Sequence, residues 1–275
     1  MLQRTAITSK GPIEYRLEGA GPTVVVLNGG HCSRDTRLSH EKLALHGYSV
    51  LTPSRPGYDS TPSSIGRTAQ EAADALAELI TELQVPIVDV IGISAAGPTA
   101  LAFAQHHPEK LRKLILESAV TTRWGDEIKI LSRLGFGRTE KVTWSLIKLA
   151  LKFMPNMMIR AMVQQLTTLD VNEVLSRMNK DDLIFVRRMI ETSRSGAGFM
   201  NDIEHHIDDL SGIVAPVLVM YSPNDKFVPE KNAARVAAEV KRCELYEVSA
   251  DTHLIWIGKA ADDVWVKRLS FLKLQ

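Results

Sequence analysis

Five short runs rich in β-branched and apolar residues, at 23–27, 48–52, 87–91, 113–116 and 216–221, narrow the folds open to this chain. They are continuous rather than alternating in polarity, which is the pattern of strands covered on both faces in a parallel sheet. Helical patterns separate them, clearest at 68–83 and 95–106. The first of these opens with Thr68 three residues ahead of Glu71, the spacing of a capping box. Strands alternating with helices predict a doubly wound α/β sheet. Residues 4–17 predict a leading antiparallel hairpin turning at Lys10-Gly11-Pro12, and 244–248 a last strand. From 121 to 210 no strand pattern is present, only helical stretches rich in Met, Leu and Arg. We therefore expect a core of 1–120 and 211–275 with a helical cap, 121–210, inserted before the penultimate strand. The competing reading gives those helices a packing role only.

Charge and cysteine content limit the function classes. There are 33 Lys+Arg against 32 Asp+Glu, a formal net charge of +1. That total provides no long-range field to concentrate nucleic acid or an anionic membrane. Two cysteines, Cys32 and Cys243, are too few for a disulfide framework or a four-cysteine zinc site, and suit a reducing compartment. The N-terminal Met1-Leu2-Gln3-Arg4-Thr5 has no leader-like apolar stretch, and no run approaches the roughly 20 residues of a membrane span. The expectation is a cytoplasmic protein with no membrane span and no nucleic-acid partner; a homodimer is left open.

The segment 87–100 carries the chemistry. An apolar strand runs through Gly92-Ile93 directly into Ser94, and Ala95-Ala96-Gly97 opens a small-residue helix. A serine in so sharp a strand-to-helix turn needs small neighbours two residues away on each side, which Gly92 and Ala96 are. The turn exposes the hydroxyl and aims the first helical amides at a developing negative charge. Ser94 is therefore the expected nucleophile, with a helix-capping serine as the alternative.

This segment resembles the nucleophile elbow of the α/β-hydrolase fold, and the likeness extends over nearly the whole chain. Residues 24–34 resemble the family's oxyanion loop, and Ser54-Arg55-Pro56-Gly57-Tyr58-Asp59-Ser60 its arginine-proline-glycine segment. Residues 217–229 and Asp251-Thr252-His253 resemble its acid and histidine segments. The resemblance implies an esterase- or lipase-like serine hydrolase on a mostly parallel, eight-stranded sheet. Two positions depart from the pattern. Ala96 stands where the family has glycine, and Asn28-Gly29 where it has His-Gly.

A serine hydroxyl needs a base, and the base needs an orienting acid. His253 follows the expected last strand and fits the family order of serine, acid, histidine. Asp225 follows a buried strand, with Glu117, at the end of the preceding strand, as the alternative acid. The resemblance implies oxyanion donors in the backbone amides of Gly30 and Ala95. Asn28, Gly29, His31, Trp144 and Met158 are expected near the substrate. So are other apolar residues of the cap, among them Leu146, Ile147, Leu149, Phe153, Met154, Met157 and Met162. His106, His107, His205 and His206 are expected to be solvated. The run Asp202-Ile203-Glu204-His205-His206-Ile207-Asp208-Asp209 lacks zinc-hydrolase ligand spacing and reads as a solvated helix, so neither metal nor cofactor is expected. Related epoxide hydrolases and haloalkane dehalogenases attack with an aspartate at the elbow, which Ser94 argues against.

The expected function is hydrolysis of short-to-medium acyl carboxylic esters, small-molecule substrates, through an acyl-enzyme. Lactone, thioester, carbon–carbon bond and aminopeptidase chemistry on the same fold are the alternatives. A non-catalytic binding protein is disfavoured by the complete set of triad residues.

Overall fold

The computed structural model describes residues 4–273. Met1–Gln3, part of the N-terminal stretch discussed above, and residues 274–275 lie outside the described residues. Eight strands form one sheet: β1 (Arg4–Thr8), β2 (Gly11–Gly19), β3 (Thr23–Leu27), β4 (Ser49–Pro53), β5 (Val88–Ile93), β6 (Leu111–Glu117), β7 (Val217–Tyr221) and β8 (Cys243–Glu247). Their order across the sheet is β1-β2-β4-β3-β5-β6-β7-β8. The β1–β2 and β2–β4 pairs are antiparallel and all others parallel. This is the α/β-hydrolase sheet that the sequence resemblance implies.

Alternate residues of each strand feed two buried layers, as the two-residue period of a strand requires. Val25, Leu27, Val90, Leu114 and Leu116 pack with α1 (Ala69–Glu82) and α2 (Gly97–His106) on one face. The alanine-rich faces of these helices (Ala69, Ala73, Ala100, Ala104) let them lie close to the sheet. The box that starts α1 is complete: Glu71 N donates to Thr68 Oγ1 at 3.1 Å, and Thr68 N donates to Glu71 Oε2 at 3.2 Å. Val24, Val26, Ile91, Ile93, Ile115, Leu218 and Met220 face the other way.

Between β6 and β7 the chain forms α3 (Asp126–Phe136), α4 (Glu140–Phe153), α5 (Pro155–Leu166), α6 (Val171–Arg177), α7 (Lys180–Thr192) and α8 (Gly198–Asp202). Buried side chains of α4 to α7, such as Leu151, Val163, Val174 and Val186, join the same apolar cluster as Ile91, Ile93 and Met220. These helices therefore share the sheet's core. After β7 come α9 (Lys231–Glu239), β8 and α10 (Ala261–Lys273), whose Val264, Phe271 and Leu272 complete that second layer. Among the described residues, no helix is long and apolar enough to cross a membrane.

Candidate active site

The carboxyl ends of β3, β5, β7 and β8 release four loops along one edge of the sheet, the pair β3–β5 separated from β7–β8 by β6, where α/β sheets bind ligands. The β5 loop carries Ser94, held at φ 50°, in the left-handed region that a residue with a Cβ adopts only under constraint. Two close packings impose it. A Cβ on Gly92 would lie 2.6 Å from the Cβ of Ala100, so the strand can approach α2 only as glycine. A Cβ on Gly97 would lie 2.0 Å from the carbonyl oxygen of Val120, whose own N–H donates to the Ser94 carbonyl at 2.9 Å. Glycine is thus required one position later than in the family pattern, and fully buried Ala96 fits where the family has glycine.

His253 and Asp225 meet across the β7 and β8 loops. Asp225 Oδ2 lies 2.6 Å from His253 Nδ1, and Asp225 Oδ1 accepts N–H bonds from Phe227 (2.9 Å) and Val228 (2.8 Å). Both residues are buried. With Nδ1 occupied, Nε2 is the ring nitrogen left to Ser94, and both side chains line the same cavity. The histidine backbone is fixed as well: its N–H donates to Leu166 O at 2.9 Å, and its carbonyl accepts from Ser118 Oγ at 2.9 Å. Leu166 ends α5, so the inserted helices help to hold the imidazole.

Glu117 is engaged elsewhere. Its oxygens accept from Arg268 Nε at 2.7 Å and Nη2 at 3.0 Å, and one lies 2.8 Å from His40 Nε2. Burial would raise its pKa, but Arg268 and His40 outweigh burial and hold the carboxyl down to about 2. The structure therefore contradicts the alternative acid, because this carboxylate is consumed by a buried ion pair.

The β3 loop lies against the elbow. A Cβ on Gly29 would sit 3.1 Å from the Ser94 Cβ, and one on Gly30 3.3 Å from the Ala95 Cβ. Gly29, Gly30, His31, Trp144 and Met158 all line the cavity. Asn28 does not, which corrects the expectation for it. Its amide donates inward to the carbonyls of Ser33 (2.8 Å) and Thr36 (3.1 Å), stapling the loop. Cys32 lines the cavity too, but burial pushes its thiol up to about 11, away from a reactive thiolate.

Sequence reasoning missed the clamp beneath this loop. Arg55 donates from Nε to Asn28 O (2.8 Å) and from Nη2 to Gly29 O (3.0 Å), and forms a two-pronged ion pair with Asp202 at the end of α8. Tyr58 adds an O–H bond to Asp202 at 2.5 Å. Burial of Arg55 disfavours its charge, but Asp202 overrides that and keeps the guanidinium protonated. The stretch from Asp202 is therefore not a solvated helix: α8 stops there and Asp202 is buried. His205 is buried as well, its Nε2 3.0 Å from Gly66 O, and His107 pairs with Asp74, so only His106 and His206 of the four are exposed. The signal was faint in sequence, because Arg55 and Asp202 are 147 residues apart. Among the described residues, no group of three His, Cys, Asp or Glu is arranged to hold a metal ion.

The cavity measures about 380 Å³, within the range of roughly 300–1,000 Å³ for small-molecule sites. Its walls are apolar: Phe136, Trp144, Ile147, Met158, Met162, Met189, Phe199, Phe227 and Trp256 contribute, and no Lys, Arg, Asp or Glu is among the described lining residues. His31 (φ 61°) lies 3.9 Å ring to ring from Phe199 and 4.4 Å from Phe136, with Nδ1 2.6 Å from Ser195 Oγ. Leu146, Leu149, Phe153, Met154 and Met157 are absent from the lining and 47–70% exposed, contrary to expectation.

Three imidazoles held away from solvent, His40 and His205 buried and His31 half-buried beneath aromatic rings, predict how stability depends on pH. Burial lowers His31 from 6.5 to about 4, and lowers His40 and His205 as well. The unfolded chain then binds more protons between those values, so stability is present above pH 6.5 and is lost as pH falls toward 4. Glu117 acts in the same direction lower down, between 4.5 and about 2. Thermal melts should therefore show Tm falling progressively below pH 6.5, and less steeply in His31→Gln. A Tm that is flat from pH 7 to 4 would contradict this.

A family model described as serine aminopeptidase, S33, matches residues 22–257. A Bacillus subtilis protein described as an uncharacterized hydrolase, YcgS, is 36% identical over 271 residues, covering 96% of this chain and 95% of that one. A 2-hydroxy-6-oxononadienedioate/2-hydroxy-6-oxononatrienedioate hydrolase of Cupriavidus pinatubonensis is 24% identical over 262 residues, 88% of this chain and 86% of its own. Among solved structures, an α/β-hydrolase fold protein from Nakamurella multipartita superimposes with a TM-score of 0.84 at 27% identity, covering 98% and 99% of the two chains. The matched model spans the oxyanion loop, the elbow and the acid and histidine loops alike, and the chain belongs to the serine aminopeptidase S33 family of α/β-hydrolase fold hydrolases.

Proposed function

We propose that the protein hydrolyses uncharged carboxylic esters of short-to-medium acyl chains through an acyl-enzyme, with 121–210 acting as the cap over the acyl site. The supporting observation is the His253–Asp225 pair facing a constrained Ser94 at the wall of an apolar cavity. Ser94 Oγ attacks the ester carbonyl carbon while His253 Nε2 takes its proton. The tetrahedral oxyanion is met by the amides of Gly30 and Ala95. Collapse expels the alcohol, which receives the proton from His253, and leaves an ester on Ser94. Water, deprotonated by the same nitrogen, then releases the acid. Asp225 holds the imidazole in the tautomer with Nδ1–H and stabilises the imidazolium.

The charge of the cavity separates this reading from its neighbours. The Cupriavidus relative is named for a dienedioate, a substrate with two carboxylates. Burying such groups without a cation costs several kcal/mol, and the described lining offers neither Lys nor Arg. A peptide's free α-amino group would need a carboxylate that the lining also lacks. Lactones and thioesters, being neutral, fit as esters do.

The test is kcat/KM over an acyl series from acetyl to dodecanoyl, beside a dienedioate and an aminoacyl anilide. Each methylene that enters the cavity should raise kcat/KM by roughly fourfold, about 0.8 kcal/mol, until the space is filled and the rate falls. Negligible rates on every ester with turnover of the dienedioate would replace this reading by carbon–carbon bond hydrolysis.

A further inference from the structure

The apolar residues of α4 that do not reach the cavity form a second surface. Val142, Leu146, Leu149 and Phe153 are 53–70% exposed and fall within roughly 60° of one another at about 100° per residue. The opposite side of the helix carries Trp144, Ile147 and Leu151, which are turned inward: Trp144 and Ile147 line the cavity and Leu151 is buried. Lys141, Lys148 and Lys152 share one flank, roughly 110° from the exposed stripe. The neighbouring α3 also presents Leu131 and Leu134, 68% and 70% exposed.

The charge around this surface is one-sided. Residues 126–169, from the start of α3, hold seven Lys and Arg against three acids, a net +4, which leaves −3 on the rest of a chain whose total is +1. The near-zero total thus conceals a basic patch centred on the α4 lysines, and reverses for this face the expectation drawn from net charge. Of the acids, Glu140 is buried and accepts from the amides of Ser195 (3.0 Å) and Gly196 (3.1 Å), whereas Asp126 and Glu127 are exposed at the start of α3, away from the α4 lysines in sequence. Lys129 and Arg133 are paired with Glu204, but Lys141 and Lys152 are exposed and make no ion pair among the described residues.

We propose that α3 and α4 dock in the plane of an anionic lipid surface, with the Val142–Phe153 stripe in the acyl boundary and the lysines at the headgroups. An exposed apolar stripe flanked by lysines is what an in-plane amphipathic helix presents, and each cation adds attraction to an anionic leaflet. Charge argues against a second copy packed α4 to α4, because Lys141, Lys148 and Lys152 would be opposed to one another and α4 has no exposed acid to meet them, its Glu140 being buried. The exposed acids of this face, Asp126 and Glu127, lie in the first turn of α3. Since α4 lines the cavity with its other side, docking would bring the cavity wall next to the lipid. This inference concerns recruitment and stands apart from the ester reading.

The experiment is co-sedimentation of the full chain with vesicles of phosphatidylcholine alone and of equal parts phosphatidylglycerol and phosphatidylcholine, at low and high salt. Binding should occur on the phosphatidylglycerol vesicles, weaken with salt, and be largely lost on pure phosphatidylcholine. Lys141→Gln with Lys152→Gln should weaken it roughly 30-fold, at about 1 kcal/mol for each lysine lost. Leu146→Ser with Phe153→Ser should weaken it roughly tenfold or more, while kcat/KM on a soluble short-chain ester stays unchanged. Absence of binding to the anionic vesicles overturns the proposal, as does equal, salt-insensitive binding to both compositions. So does a concentration-dependent dimer in ultracentrifugation that the Leu146/Phe153 pair abolishes, which would make a second copy the occupant.

Discussion

Ser94→Ala should leave a folded protein that no longer turns over ester and no longer takes up a fluorophosphonate. Loss of the attacking oxygen removes the covalent route entirely, and removal of a triad member costs kcat a factor on the order of 10⁴ or more. The cavity contains no ready substitute. Among the described lining residues Cys32 is the only thiol, and it is pushed up to about 11 by burial, so almost none of it is thiolate at neutral pH. Ser193 lines the wall, but its hydroxyl donates to the Met189 carbonyl at 2.7 Å rather than to a base. The alanine change also relaxes nothing the fold depends on, because the turn is imposed by Gly92 and Gly97 packing against Ala100 and Val120. Intact mass after labelling, with the adduct mapped by fragmentation, checks the assignment. An adduct elsewhere, or undiminished esterase activity in the variant, would remove Ser94 from the mechanism.

What the sequence made legible follows from which interactions are local. The strands were readable because burial on both faces demands continuous apolar runs, and 48–52 and 244–248 fall within a residue of β4 and β8. The elbow was readable because its requirement for small residues is satisfied within five positions of Ser94. Asn28 misled because nothing in its neighbourhood tells whether a loop amide points at a ligand or back at Ser33 and Thr36. Asp202 and His205 misled for a different reason. They sit in a charged run, yet their partners Arg55, Tyr58 and Gly66 arrive from the β4 side of the sheet, about 140 residues earlier. On α4 the periodicity itself was ambiguous. With apolar residues on two opposite faces, the pattern identifies a helix but cannot decide whether Leu146 or Ile147 is turned toward the cavity; the packing of α4 against the sheet layer decides it. Net charge failed in the same way, since a sum over the chain discards position.

Asp225→Asn and Glu117→Gln should separate two buried carboxylates that end adjacent strands, β7 and β6. In the first variant the amide cannot accept both the imidazole N–H and the loop N–H bonds as a carboxylate does, and His253 loses the charge that stabilises its protonated form. Turnover should fall by about 10⁴-fold with the fold retained, as when a triad aspartate becomes asparagine. In the second, Arg268, 1% exposed, is left without a counter-charge, and one of the two oxygens that Arg268 and His40 share becomes an amide nitrogen. Breaking a buried pair from one side costs about 3–5 kcal/mol, so the melting temperature should drop by several degrees or more. Its kcat should change little at a temperature where it is still folded, because Glu117 is bound to α10 and the His40 segment rather than to His253. Measuring kcat and Tm on both variants makes the two roles distinguishable even if each is impaired. A Glu117→Gln enzyme that is fully folded yet as inactive as Asp225→Asn would transfer the orienting acid to β6, and the 2.6 Å contact between Asp225 and His253 would then need another purpose.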